Sequence, residues 1–221
     1  MLLVDADAQC NATSGLGVDK KSVSFSLYDL FLDPKILSKT ILKTDFKNLN
    51  LLPSSQKLLD LETDTKNELD SGYFFKEVLK NYSENIFDYV IIDCPPAVNF
   101  VTSSALKSSS DILVPIQCEY YALEGLSQLI NTIMKIKKRY NSSLNFLGVL
   151  LTMYNKRLKL TLQVEEEVKK YLKDKVFETK IPRSVRLSEA PSFGKPVIYF
   201  DEKSTGALAY LNLAKEIIKS A

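Results

Sequence analysis

The sequence predicts an α/β fold with a mostly parallel, twisted sheet flanked by helices. Three observations carry that expectation. Short apolar runs of strand length alternate with amphipathic stretches of helical spacing along the whole chain. Two runs, Met1–Val4 and Tyr89–Ile92, lead into aspartates, as buried parallel strands do when they deliver side chains to the carboxyl edge of a sheet. The 221 residues, 45% of them hydrophobic, suffice for one substantial core, so residues 1–221 read as a single domain.

The first run ends at Asp5 and Asp7, followed by a polar loop with Gly15 and Gly17. If the strand persists, carboxylates at i and i+2 point the same way and favour a cation or a reacting water between them. A lone D-x-D is equally the sequence of an ordinary polar turn. In residues 18–48, Leu27, Leu30, Phe31, Ile36, Ile41 and Leu42 are spaced like short amphipathic helices broken at Asp33-Pro34. Asn48 to Pro53 reads as a second strand, with Ser54 and Ser55 opening the next loop. Residues 56–84 are helix-compatible, with a break around Ser71-Gly72 and charge runs that fit a solvated face.

Phe87 to Asp93 is the strongest local signal, a buried strand that ends in a single Asp and is stopped by Pro95-Pro96. Such an Asp can hold a magnesium ion through water; a surface Asp after any buried strand is the common alternative. A helix near Val101–Ser109 and a strand Asp111–Gln117 follow. A long helix from Ala122 to Tyr140 places Leu123, Leu126, Leu129, Ile130, Ile133 and Ile136 on one side, and its basic end suits the helix dipole. Phe146–Met153 is another buried strand. A helix over residues 160–173, a short strand near Val176–Ile181, a Pro-Arg-Ser loop and a helix from Thr205 to Lys219 complete the chain.

Composition narrows the chemistry. A net charge of +2 does not mark a nucleic-acid binder by bulk electrostatics. There is no histidine, which excludes His-based triads, His general bases and His metal ligands. Cys10, Cys94 and Cys118 lack metal-ligand spacing and fit a reducing cytoplasm. No apolar run approaches the ~20 residues of a membrane span.

Three motifs now align. V-D-A-D-A-Q-x-N-A-T-S-G-L-G (4–17), Y-V-I-I-D-C-P-P (89–96) and I-P-R-S-V-R-L-S-E-A-P-S-F-G-K-P-V-I (181–198) resemble the ParA/Soj family of deviant-Walker partition ATPases, related to MinD. Residues 117–129 and 204–217 also resemble it, so the likeness spans essentially the whole chain. The resemblance implies a P-loop NTPase-like sheet, MgATP binding, a homodimer around two nucleotides, non-specific DNA binding, and slow hydrolysis stimulated by a ParB-type partner. It implies a cytoplasmic, nucleoid-associated protein that moves chromosome or plasmid cargo. By motif position, Asp7 orients the attacking water with Asp5 as its supporting neighbour, and Asp93 holds magnesium through water. The resemblance also implies that Pro182 and Ser184 line the adenine pocket, with Asn155 another candidate nearby. Arg183 and Arg186 contact DNA backbone, with a plain ion pair an equal alternative for Arg186. Three positions depart from the pattern: Cys10 replaces glycine or alanine, Asn155 stands where Asp is frequent, and Ser184 where Asn is.

One departure is larger. Family members begin with a strand, K-G-G-V-G-K-T-T and a helix, whereas nothing here fits G-x-x-x-x-G-K-[ST]; the one Gly-Lys pair, Gly194-Lys195, precedes proline. The expectation is therefore an N-terminally truncated domain, its first strand and P-loop helix missing. Either the reading frame starts upstream of an internal Met1, or the gene is reduced to a catalytically dead relic or scaffold that keeps dimer and DNA surfaces. Loss of an interior strand leaves neighbours unpaired, so residues 1–221 alone are expected to fold poorly or aggregate. A membrane role like that of MinD is disfavoured, because the last helix lacks a basic tail and its apolar side (Leu208, Leu211, Ala214, Ile217, Ile218) reads as core packing.

Overall fold

The computed structural model describes residues 1–64, 73–83, 86–119 and 122–220. It divides into two compact units, Met1–Ser109 and Ser110–Ala221. In the first, β1 (Leu2–Asp5), β2 (Leu42–Lys43), β3 (Asn50–Leu52) and β4 (Val90–Asp93) form a sheet ordered β2-β3-β1-β4. β1 pairs in parallel with both β3 and β4, so Leu2 and Val4 are fully buried, each worth roughly 1.5–3 kcal/mol over an exposed side chain. Helices α1 (Asn11–Gly15), α2 (Leu27–Leu32), α3 (Leu37–Thr40), α4 (Leu58–Asp64), α5 (Phe74–Ser83) and α6 (Phe100–Ser108) belong to this unit. α2 begins at a capping box, the Asp29 carboxylate accepting the Ser26 amide at 2.9 Å, and it ends before Pro34. Leu27, Leu30, Leu52, Leu58 and Phe75 close the core, with Phe31 stacked on Phe74 at 3.9 Å between centroids.

Two expectations change here. Leu42 is not helical: the chain extends after Thr40, and Leu42 pairs antiparallel with Leu51. β4 is not buried on both faces. Val90 and Ile92 pack on the core, whereas Ile91, which alternation puts on the opposite face, is 50% exposed. The break at Ser71-Gly72 lies outside the described residues.

In the second unit β5 (Asp111–Gln117) and β6 (Asn145–Thr152) are parallel and connected through α7 (Ala122–Arg139). Leu126, Ile133 and Ile136 form the buried side of α7, as its spacing predicts. Then come α8 (Lys159–Leu172), α9 (Val185–Glu189), α10 (Val197–Phe200) and α11 (Thr205–Ser220). Gly148 sits at φ +152°, and a Cβ there would lie 2.7 Å from the Lys175 carbonyl oxygen, so only glycine lets the following turn press against β6.

The short strand expected over Val176–Ile181 is not continuous. Phe177 and Ile181 amides bond to β6 carbonyls, but between them the Glu178 and Thr179 amides turn to the Glu216 carboxylate at 2.8 and 3.0 Å. Two isolated bridges, Val149–Val176 and Tyr154–Pro182, remain. The apolar side of α11 also differs. Ile217 packs against the core as expected, but Ala207 and Leu213 are its buried companions, and Leu208, Leu211 and Ile218 are exposed. Gly206 sets this rotation, since a Cβ there would lie 2.6 Å from Leu187 Cγ.

β4 and β5 each carry one unpaired edge among the described residues, and such edges template association. Purified residues 1–221 should scatter light increasingly with concentration, and Ile91→Lys should reduce this. A monodisperse chain with one sharp cooperative melt at every concentration would contradict that reading.

Candidate functional site

β1 stops at Asp5, and the chain turns back onto that carboxylate, so Asp5 and Asp7 do not project side by side as a persisting strand would place them. Asp5 is fully buried. It accepts Thr13 Oγ1 at 2.6 Å, the Thr13 amide at 2.7 Å and the Asp7 amide at 3.3 Å. Amides just past a buried strand end have no ladder partner, and a carboxylate within reach satisfies them. Thr13 Oγ1 in turn accepts the Ser54 amide at 3.1 Å, and Ser54 Oγ donates to the Asp7 carbonyl at 2.7 Å. The loops after β1 and β3 are thereby locked together. Burial raises the Asp5 carboxyl above its usual value, opposed by the Thr13 bonds.

Asp7 stays half-buried at the surface of this lock, its Oδ1 accepting the Gln9 amide at 2.9 Å. Asp93 is the register partner of Asp5, and its carbonyl accepts the Ala6 amide at 2.8 Å. Its side chain reaches solvent; lost hydration first, then the charges of Asp5 and Asp7, push its carboxyl upward. The structure thus brings the three sequence-predicted carboxylates to one end of the first sheet.

Cys10 explains its own departure from the resemblance. It has φ 54° and ψ 39°, the left-handed region that glycine occupies freely and that costs other residues about 1 kcal/mol. Its thiol is buried and donates to the Ala8 carbonyl at 3.3 Å. Burial raises all three free thiols, Cys94 to about 12 and Cys118 to about 11, so none is a ready nucleophile.

In the second unit, Asn155, Pro182, Arg183 and Ser184 gather where the chain leaves β6. The Tyr154 amide donates to the Ile181 carbonyl at 3.0 Å, and the Arg183 amide to the Tyr154 carbonyl at 3.2 Å. Asn155 Oδ1 accepts the Arg157 amide at 3.1 Å, an Asx turn that opens the loop before α8. Ser184 precedes α9 without capping it. Arg186 stands apart in character. Its guanidinium contacts Glu189 at 3.0 Å and Asp201 at 3.2 Å, which is the ion-pair alternative.

Sequence reasoning missed three features. Thr13 and Ser54 hold Asp5, and a threonine eight residues after a strand-end Asp was the available signal. Lys156, Arg157 and Lys159, which follow the Tyr154 that Arg183 bonds through its amide, are exposed like Arg183, and none of these four forms a salt bridge among the described residues. Their K-R-x-K run between a strand and a helix was legible. Glu165 was not, because its partners lie on three separate segments.

Thr13→Val removes a donor from buried Asp5 and leaves the Ser54 amide unpaired. It should lower unfolding free energy in urea by about 2–4 kcal/mol, with Thr13→Ser within about 1 kcal/mol of wild type. An unchanged midpoint for Thr13→Val would refute the lock.

A family model described as an AAA domain matches residues 1–146. The sporulation initiation inhibitor protein Soj of Bacillus subtilis is 48% identical over 217 residues, covering 98% of this chain and 85% of the relative. The chromosome partitioning protein ParA of Myxococcus xanthus is 42% identical, covering 99% and 77%. Among solved structures, cobyrinic acid a,c-diamide synthase of Mycobacterium smegmatis superposes with TM-score 0.83 at 30% identity, over 99% of this chain and 81% of that one. It has also been solved with ADP or an ATP analogue and magnesium. The cell division ATPase MinD of Pyrococcus furiosus superposes with TM-score 0.79 at 25% identity, over 100% and 86%. The α/β fold is thus that of P-loop NTPases, and the chain belongs to the Soj/ParA family of chromosome-partitioning ATPases, within the MinD/ParA superfamily.

Proposed function

We propose that this chain carries the switch carboxylates, the base pocket and the polyanion surface of a partition ATPase. In this reading the protein binds ATP–Mg, dimerises, binds DNA without sequence preference and is stimulated by a ParB-type partner in a cytoplasmic, nucleoid-associated cycle. The observation that carries it is the convergence of Asp5, Asp7 and Asp93 at one sheet end, locked by Thr13 and Ser54.

The residues fit the metal side of MgATP. Mutual repulsion among the three aspartates is what a divalent cation relieves. Among the described residues no group of three or more His, Cys, Asp and Glu is arranged to hold a metal ion. A magnesium ion would therefore keep several waters, and Asp93 would hold it through one of them. Held there, magnesium would supply charge neutralisation for a transferred phosphate. Asp7 is the residue whose side chain remains available to orient a water, while Asp5 holds the loop that aims it. Asn155, Pro182 and Ser184 form the base side. The glycine-rich amides and lysine that cradle phosphates are not among these 221 residues. The second reading is a relic or scaffold without hydrolysis.

For DNA, Arg183 with Lys156, Arg157 and Lys159 offers four exposed cations without a carboxylate partner among the described residues, the composition of a phosphate-tracking surface. At Arg186 a phosphate competes with Glu189 and Asp201. No described helix is long and apolar enough to cross a membrane.

Thermal melts with and without MgATP separate the two readings. The ATPase reading expects a rise in Tm that grows with nucleotide and loses its magnesium dependence in Asp93→Ala. The relic reading expects none at millimolar MgATP. In DNA titrations Arg183→Ala should weaken binding alike for all sequences and reduce the salt slope by about 1.

A further inference from the structure

Glu165 lies on α8 and is 8% exposed, yet carries a charge. Its Oε2 accepts the Tyr154 hydroxyl at 2.6 Å. Its Oε1 accepts Lys169 Nζ at 2.7 Å and also Lys180 Nζ. Lys180 in addition sits 4.6 Å from the centroid of the Tyr154 ring. One carboxylate thus ties together a helix, the turn after β6 and the segment leading to Pro182.

The position of those ties is informative. Met153, just before Tyr154, has φ 50°, so the backbone leaves β6 through a strained residue. Tyr154 then bonds Ile181 and Arg183 through its amide and carbonyl. Lys180 and Tyr154 are therefore the last side chains held by polar contacts before Asn155 on one segment and Pro182 and Ser184 on the other, where Ile181 adds an apolar anchor in the core. A buried ion pair adds little stability over apolar packing of equal volume, but its directional bonds fix geometry.

We infer that Glu165 is a positioning residue: with Lys180 and Tyr154 it holds in place the two segments that carry Asn155, Pro182 and Ser184, the residues read above as receiving the purine base. This rests on the nucleotide reading above. Lys169 is the outer, exposed member and serves mainly to balance charge. Cys118 is a further titratable group that senses Glu165 and Lys180, and burial first of all keeps its thiol protonated.

The test uses the full chain, Glu165→Gln, and Tyr154→Phe, which removes one hydrogen bond and keeps the ring under Lys180. Amide exchange is followed without nucleotide, and MgATP and MgGTP are then titrated well below Tm. The Tyr154 and Arg183 amides should exchange about tenfold faster in both variants, with Leu3 and Leu51 of the first unit unchanged. The preference for ATP over GTP should shrink severalfold, whereas a merely structural role weakens both nucleotides equally and leaves the ratio intact. Unchanged exchange at Tyr154 and Arg183 in both variants overturns the holding role. Faster exchange with an unchanged ratio overturns the link to the base. A wild type protected by neither nucleotide sinks the nucleotide reading and the base-positioning role with it, while the exchange arm still reports whether Glu165 holds the loops.

Discussion

The carboxyl end of the first sheet depends on one buried carboxylate. Asp5 has no solvent, so every donor it takes must come from the chain. Thr13 supplies two and Asp7 a third, and the hydroxyl that serves Asp5 also receives Ser54. Asp7 is aimed by this arrangement rather than by a strand. Asp93 joins it through register alone, four residues of parallel pairing that set its carboxylate opposite Asp5. Raising the Asp5 carboxyl by burial is a standing cost to stability, of the kind that functional sites retain.

The second unit uses the same device. Glu165, like Asp5, is an acid withdrawn from water whose acceptor capacity joins loops that follow parallel strands. Here the donors include two ammonium groups, and their bonds hold the carboxyl low, at about 2. Glu216 repeats the theme on a smaller scale, taking two consecutive amides and so interrupting the ladder beside β6. At Asp5 and Glu216 a side-chain acceptor replaces a ladder partner, which is why irregular backbone persists beside regular strands, whereas Glu165 takes side-chain donors alone.

Most elements were legible because their periods are unambiguous: Asp111–Gln117 is a strand to the residue, and α7 buries the expected side. The misreadings share a cause. Leu42, the segment after Val176 and the rotation of α11 are decided by tertiary partners, namely Leu51, Glu216 and Leu187, that no local window contains. β4 was read as buried from its composition, but composition does not tell which face of a strand is covered. Asp5, Asp7 and Asp93 were found because strand ends place them. Thr13, Ser54 and Glu165 were not, because a hydroxyl or a helical glutamate gains its role only from what folds against it.

The central claim is that the three carboxylates gathered by β1 and β4 serve ATP–Mg in a partition ATPase. Amide exchange with and without MgATP tests it most directly. The account predicts slower exchange at the Asp7 and Thr13 amides only when nucleotide and magnesium are both present. Unchanged exchange there at millimolar MgATP would contradict it.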